Sequence, residues 1–100
     1  RVRLTSRRDG QCHAEAAPFE DAPAPWRVRL APRPVDVRSP LLFNKTTVRD
    51  VYDQARRSCP DADDVLLWNA RRELTETTIG NLVVEIDGRR VTPPVTCGLL

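Results

Sequence analysis

Short runs of alternating hydrophobic and polar residues dominate this chain and predict strands joined by tight turns. The runs RVRLT (1–5) and CHAEA (12–16) flank the turn sequence RRDGQ, in which Gly10 tolerates a positive φ. The run WRVRLA (26–31) alternates in the same way and predicts a further strand. Most prolines lie between residues 18 and 40, which favours extended chain over helix and makes 18–25 a connector.

A helical pattern follows in the middle of the chain. Its apolar positions keep the i, i+3, i+4, i+7 spacing of one helix face: Val48, Val51, Tyr52 and Ala55. Thr47 is predicted to be the N-cap, with Asp50 three residues later in the first turn. Pro60 cannot continue a helix, so we expect the helix to end before it.

The last third of the chain predicts strands again. The run DDVLLWN (63–69) is apolar without alternation, which is typical of a buried strand. ARRE (70–73) predicts a turn, and the polar cluster ELTETTIGN (73–81) predicts another. NLVVEIDGRRVTPP (81–94) predicts a hairpin about Asp87-Gly88, a favoured two-residue turn. One helix among several strands indicates the α/β (α+β) class.

Composition and charge narrow the possible partners. The 100 residues fit one globular domain, with 40% hydrophobic and 30% charged residues. The net charge of +2 comes from scattered arginine pairs with acidic neighbours, and the aromatic residues are spread singly, so no nucleic-acid partner is expected. No apolar run reaches the roughly 20 residues of a membrane span, so no membrane partner is expected either. The chain lacks methionine, and we expect it to be a segment of a longer protein.

The cysteines do not predict a metal site. Cys12, Cys59 and Cys97 are odd in number, far apart, and form no CxxC motif. Reduced cysteines in a cytoplasmic protein are the expected state. His13, the sole histidine, lies in a polar stretch and has no partner for a catalytic triad.

Lys45 is the only lysine in a chain that has fifteen arginines. A lysine amine can form an imine with an aldehyde, whereas a guanidinium stays protonated and cannot replace it. On count alone, Lys45 could also be a surface residue retained by chance. Thirty-one residues later, Glu76 opens a cluster of threonine, glycine and asparagine. Pyridoxal phosphate chemistry needs such a lysine, together with an acid that faces the pyridine nitrogen.

The segment TETTIGNLVVEIDGRRVTPPVTCGLL resembles the signature region of class IV, or fold-type IV, pyridoxal-phosphate enzymes. Their pattern Glu-x-small-x-x-Asn-aliphatic is matched here by Glu76, Thr78, Asn81 and Leu82. Thr92 lies where the pattern has a threonine. The longer set of segments LLFNKTT, VYDQAR, DDVLLWN and TPPVTCGLL resembles the lyase part of fused aminodeoxychorismate synthase–lyase proteins. Val83 stands where many aminotransferases of the class have an aromatic residue, which favours the fused-lyase branch.

The resemblance covers residues 26–100 and implies the C-terminal domain of the D-amino-acid aminotransferase-like fold. A curved sheet, a helix after the lysine and a terminal hairpin are its expected features. Residues 1–25 would be an N-terminal hairpin with a proline-rich connector, and residues 26–100 a partial class IV domain truncated at both ends.

The resemblance also implies the roles of the site residues. Lys45 would be the catalytic residue that bonds to pyridoxal 5'-phosphate, and Glu76 would face its ring nitrogen. The other expected cofactor-binding residues are Thr77, Thr78, Ile79, Gly80 and Asn81. A purely structural turn is the alternative for each of these loop residues, and Asn81 could equally fix the turn. Tyr52 and Trp68 are expected in the core rather than stacked on the cofactor.

The implied activity is that of 4-amino-4-deoxychorismate lyase, which releases pyruvate and yields 4-aminobenzoate for folate biosynthesis. The expected setting is a cytoplasmic homodimer acting on a small molecule. Lys45 would take a proton from the amine-bearing carbon and later return one to the enolpyruvyl methylene. A class IV aminotransferase of branched-chain or D-amino acids would use the same residues, and a non-catalytic remnant is a second alternative. Because the family has further phosphate contacts before residue 1 and after residue 100, we expect the isolated chain to bind cofactor weakly and to be inactive.

Overall fold

The computed structural model describes residues 1–19 and 24–98, so half of the connector predicted at 18–25 lies outside the described residues. The elements in chain order are β1 (Val2–Ser6), β2 (Cys12–Ala16), β3 (Val28–Leu30), α1 (Asp50–Ser58), β4 (Asp64–Trp68), β5 (Leu74–Thr77), β6 (Val84–Ile86) and β7 (Arg89–Val91). Short 3-10 helices occupy Pro40–Leu42 and Val95–Cys97. The predicted α+β class is confirmed, and the described strands belong to three small sheets.

Two of these sheets are the hairpins that turn chemistry predicted. β1 pairs antiparallel with β2 around a turn in which Gly10 has φ +85°. β6 pairs antiparallel with β7 around Asp87 (φ +51°) and Gly88 (φ +73°). Two successive positive φ angles are those of a type I′ turn, whose twist matches that of the paired strands. Both hairpin predictions are confirmed.

The third sheet has the order β3-β4-β5 and forms one wall of the core. β4 pairs parallel with β3, and the connection between them contains α1, as parallel neighbours require a crossover. β5 pairs antiparallel with β4, with Leu66 opposite Thr77. The turn predicted over residues 73–81 is therefore wrong in its first half, because pairing with β4 draws residues 74–77 into the sheet. Only residues 78–80 bend.

The core lies between α1 and β4. Val65 and Leu67 alternate toward the helix and are each 1% exposed, and Tyr52 and Ala55 pack against them. The remaining buried members of this cluster are Ala31, Val35 and Leu42. Trp68 packs at its edge, where the indole Nε1–H donates to the Ala31 carbonyl at 2.7 Å. The prediction that Tyr52 and Trp68 belong to the core is confirmed.

The start of α1 differs from the prediction. Arg49, and not Thr47, is the N-cap residue, and no side chain in the described part of the chain caps the helix. Instead, the Thr46 hydroxyl accepts a hydrogen bond from the Val48 amide at 3.1 Å. Such a local side-chain turn competes with helical hydrogen bonding and delays the helix until Asp50. Val48 is consequently 48% exposed and does not belong to the buried helix face.

The remaining global features concern membranes and metals. The helices in the described part of the chain are too short and too polar to cross a bilayer. Within residues 1–19 and 24–98, no three histidine, cysteine, aspartate or glutamate side chains are grouped to hold a metal ion. Cys12, Cys59 and Cys97 are free thiols, of which Cys97 is buried.

Candidate functional site

Lys45 lies in the turn between the 3-10 helix Pro40–Leu42 and α1. Leu42 anchors this segment because its side chain is completely buried. Asn44 Nδ2 donates to the Pro40 carbonyl at 2.9 Å, and Thr46 forms the local turn described above. Hydrogen bonds thus fix the residues on both sides of Lys45, while its own side chain remains exposed.

Glu76 lies on β5 and is only 5% exposed. The Tyr52 hydroxyl, which projects from α1, donates to Glu76 Oε1 at 2.8 Å. Burial, followed by the hydrogen bond to Glu76, raises the pKa of Tyr52. Tyr52 is therefore a neutral hydrogen-bond donor at any physiological pH. Its hydrogen bond connects Glu76 on β5 to α1.

The loop after β5 is closed by Thr77. The amide of Thr77 donates to the Gly80 carbonyl at 2.9 Å. Its hydroxyl both donates to that carbonyl at 2.9 Å and accepts from the Gly80 amide at 3.0 Å. These bonds give residues 77–80 the form of a tight turn, from which Ile79 projects with 60% of its surface exposed.

Asp64, the first residue of β4, fixes the same loop from behind. Asp64 Oδ1 accepts from the amides of Val65 (2.7 Å) and Thr78 (3.2 Å), and also from the Thr78 hydroxyl. Asp64 and Thr78 are both almost completely buried. Burial alone would raise the pKa of Asp64, but hydrogen bonds from the Thr78 hydroxyl and from backbone amides outweigh it, and the pKa is lowered. A charged acceptor beneath the loop therefore stabilises its position.

Arg49 closes the site on the helix side. Its guanidinium carbon lies 4.6 Å from the centroid of the Tyr52 ring, within the range of a cation–π contact. Its Nη2 donates to the Thr78 carbonyl. Arg49 therefore connects α1 with the loop that follows β5.

These groups surround a cavity of about 280 Å³. The lining contains all seven residues that the sequence predicted for the cofactor, namely Lys45, Glu76, Thr77, Thr78, Ile79, Gly80 and Asn81, together with Arg49 and Tyr52. The cavity volume is just below the roughly 300–1,000 Å³ typical of small-molecule sites. An amine, a guanidinium and a buried carboxylate thus face one space that a small molecule could enter.

Comparison with known proteins assigns the chain to a family. A family model described as amino-transferase class IV matches residues 1–100, the N-terminal hairpin included. The chain belongs to the aminotransferase class IV family. Members of this family generally use pyridoxal phosphate, bind small-molecule substrates and typically act as dimers.

Relatives with both lyase and aminotransferase names resemble this class IV chain. A Schizosaccharomyces pombe protein assigned as an aminodeoxychorismate lyase is 31% identical over 106 residues, which cover 100% of this chain and 46% of that protein. A Mesorhizobium loti structure, assigned as an amino-acid aminotransferase, has 40% identity and a TM-score of 0.86 over 98% of this chain and 50% of its own. A Legionella pneumophila structure, assigned as a 4-amino-4-deoxychorismate lyase, has 27% identity and a TM-score of 0.80 over 90% and 34%. The class IV chain thus spans about half the length of its curated relative.

The cavity's residues fit the cofactor of the class IV family. Lys45 would offer an amine to the aldehyde and Glu76 a carboxylate to the ring nitrogen, and Arg49 would add a cation beside the loop. Sequence reasoning missed Arg49, and it assigned Tyr52 to the core only. The available signal was position, because Arg49 and Tyr52 lie at the start of α1, the helix that follows Lys45.

Proposed function

We propose that this chain forms the cofactor-binding part of a pyridoxal-phosphate-dependent 4-amino-4-deoxychorismate lyase, an enzyme that acts as a homodimer. The observation that carries the proposal is that Lys45 and Glu76 line one cavity, together with the loop 77–81. The lyase activity is supported by the lyase-assigned relatives from Schizosaccharomyces pombe and Legionella pneumophila. The products would be pyruvate and 4-aminobenzoate, the latter a precursor for folate biosynthesis.

Each residue would have a distinct role. Pyridoxal phosphate, when bound, supplies an aldehyde for amine groups and a ring that accepts electrons from the adjacent carbon. The Lys45 amine would bond to that aldehyde and, once freed, take the proton from the amine-bearing carbon of the substrate. Lys45 would then return a proton to the enolpyruvyl methylene as the ether C–O bond breaks. Glu76 would accept a hydrogen bond from the ring nitrogen and favour its protonated form.

The loop and Arg49 would hold the cofactor rather than move protons. The Thr77 hydroxyl is bonded within its turn and the Thr78 hydroxyl to Asp64, so these two hydroxyls shape the cavity wall. Arg49 would offer its remaining guanidinium hydrogens to an anionic group, since a guanidinium suits phosphate and carboxylate.

A class IV aminotransferase is the second candidate. It is favoured by the Mesorhizobium loti structure, which has 40% identity. The two candidates share Lys45 and Glu76, so the substrate must distinguish them. Incubation of the full-length protein with aminodeoxychorismate should release equal amounts of pyruvate and 4-aminobenzoate. Amino transfer to a 2-oxo acid without this release would favour the aminotransferase.

The role of Lys45 has a direct chemical test. Borohydride reduction of the protein with pyridoxal phosphate, followed by peptide mapping, should place the phosphopyridoxyl group on Lys45. Lys45→Arg keeps the positive charge and should abolish the label, because arginine cannot bond to the aldehyde. A label on another residue would refute the assignment.

Glu76→Gln tests the second role. The variant should still bind the cofactor but lose about 100–1000-fold in turnover, the typical effect of removing one electrostatic contact made in the transition state. Near-normal turnover would show that Glu76 does not face the ring nitrogen.

A further inference from the structure

Tyr52 belongs to both the core and the cavity. Its side chain is 5% exposed and packs with Ala55 and Leu67 between α1 and β4. Its hydroxyl reaches the cavity and donates to Glu76 Oε1 at 2.8 Å. The ring is therefore held by core packing, while its polar end contacts the carboxylate, which lies twenty-four residues away in sequence.

Arg49 contacts the face of the Tyr52 ring. The guanidinium lies over the ring and is itself anchored to the carbonyl of Thr78. The charge of Arg49 opposes the effects of burial and of Glu76 on the pKa of Tyr52. A cation at this position makes the phenol a stronger hydrogen-bond donor, and it ties the donor's orientation to the cavity loop.

We propose that Tyr52 is a positioning residue that holds the Glu76 carboxylate in its charged form and in a fixed orientation toward the cavity. A hydrogen bond donated to a carboxylate favours the charged form, and one from a rigid ring also restricts its rotation. The inference rests on the proposed function, because the orientation matters only if Glu76 faces the ring nitrogen of the cofactor.

Other charged groups also lie near Glu76. Lys45 and Arg49 line the same cavity, and Asp64 with its neighbour Arg56 lies behind Thr78. Lys45 and Arg49 would also favour a charged Glu76, so Tyr52 is one contributor among several. The test must therefore change Tyr52 alone and leave the four charges in place.

Tyr52→Phe changes Tyr52 alone, because it removes the hydroxyl, keeps the ring and leaves the four charges in place. The readout is the titration of the Glu76 carboxyl carbon by ¹³C NMR in the full-length protein without cofactor, assigned by the signal missing in Glu76→Gln. Hydrogen bonds to charged groups have magnitudes that correspond to about one to two pH units, so the titration midpoint of Glu76 should rise by that amount. A merely structural role of Tyr52 would not move this midpoint.

Trp68→Phe is the matched control. It also removes a partly buried hydrogen-bond donor from an aromatic side chain, the Nε1–H bonded to Ala31, but it lies outside the cavity lining. Its Glu76 midpoint should equal that of the unmodified protein. An unchanged midpoint in Tyr52→Phe, or an equal rise in Trp68→Phe, would overturn the proposal.

A second substitution covers the case in which Tyr52→Phe does not fold. Incorporation of 3-fluorotyrosine at position 52 keeps the packing and makes the hydroxyl a stronger donor, so the Glu76 midpoint should fall. No change would overturn the proposal.

Borohydride labelling separates this inference from the proposed function. If Lys45 is labelled in Tyr52→Phe but the Glu76 midpoint is unchanged, the positioning role is wrong and the proposed function stands. If Lys45 is not labelled even in the unmodified protein, the proposed function itself fails.

Discussion

Asp64→Asn tests whether a buried carboxylate holds the loop of the candidate site. Asparagine has nearly the same shape as aspartate but no charge. Three donors surround Asp64 Oδ1, which are the amides of Val65 and Thr78 and the hydroxyl of Thr78. Arg56 Nη1 lies 3.5 Å from the same oxygen, and its side chain is 42% exposed. The substitution therefore weakens three buried hydrogen bonds and one partly exposed ion pair.

The magnitudes indicate which contact dominates. A hydrogen bond to a charged acceptor contributes about 1.5–3 kcal/mol, and one to a neutral acceptor about 0.5–1.5 kcal/mol. Loss of the charge thus costs roughly 1 kcal/mol per bond. Part of this loss is offset, because a neutral side chain costs less to bury than a charged one. We expect Asp64→Asn to lower the free energy of unfolding by about 1–3 kcal/mol. The half-exposed ion pair contributes at most about 1 kcal/mol, so Arg56→Gln should cost less.

The pH dependence provides an independent check. The pKa of Asp64 is lower in the folded protein than its ordinary value. The charged form therefore stabilises the folded state, fully so above the unfolded pKa of about 3.9, and this contribution is lost as the pH falls through the folded value. The stability difference between the unmodified protein and Asp64→Asn should be constant near neutral pH and shrink below about pH 4.

Urea unfolding followed by tryptophan fluorescence measures these differences. At an unchanged slope, the unfolding midpoint of Asp64→Asn should fall by on the order of 1 M. Asp61→Asn is the matched control, because Asp61 forms an exposed ion pair with Arg29 and should be nearly neutral. The reasoning is refuted if Asp64→Asn behaves like Asp61→Asn, or if Arg56→Gln costs as much as Asp64→Asn.

Two further predictions concern the remaining packing. Gly98 has φ +86°, and a Cβ there would lie 2.8 Å from Val37 Cγ1. Gly98→Ala should therefore lower the free energy of unfolding, through conformational strain and through about 1–3 kcal/mol of overpacking. Gly10→Ala is the control, because Gly10 has nearly the same φ and open space around it. Equal urea midpoints for the two variants would show that contact with Val37 does not destabilise Gly98→Ala. Thr75 is completely buried, and its hydroxyl has no partner among the described residues, so Thr75→Val should raise stability by about 1 kcal/mol. Thr78→Val should lower it, and a loss in both variants would show that the Thr75 hydroxyl is bonded.

Local sequence signals were sufficient to predict several secondary-structure elements. The hairpin about Asp87-Gly88 follows from two residues that accept positive φ, and the hairpin at Gly10 has the same origin. The helix after Lys45 follows from its apolar spacing. Seven of the nine residues that line the cavity also followed from the sequence, through resemblance to the class IV family, because six of them lie in the short segment 76–81 and the seventh is the sole lysine. Their roles as cofactor-binding residues stay predictions.

Tertiary contacts determined strand β5 and the partners of the buried polar groups at the site. Residues 74–77 read as a turn because their polar threonines match a loop, yet β4 supplies the hydrogen bonds that make them a strand. Arg49 and Tyr52 are ordinary residues of an amphipathic helix until folding brings them against Thr78 and Glu76, twenty-nine and twenty-four residues away. Burial of Asp64 depends on donors fourteen residues away. A local pattern records the preference of a segment, whereas the partners of a buried polar group are chosen by the distant chain that packs against it.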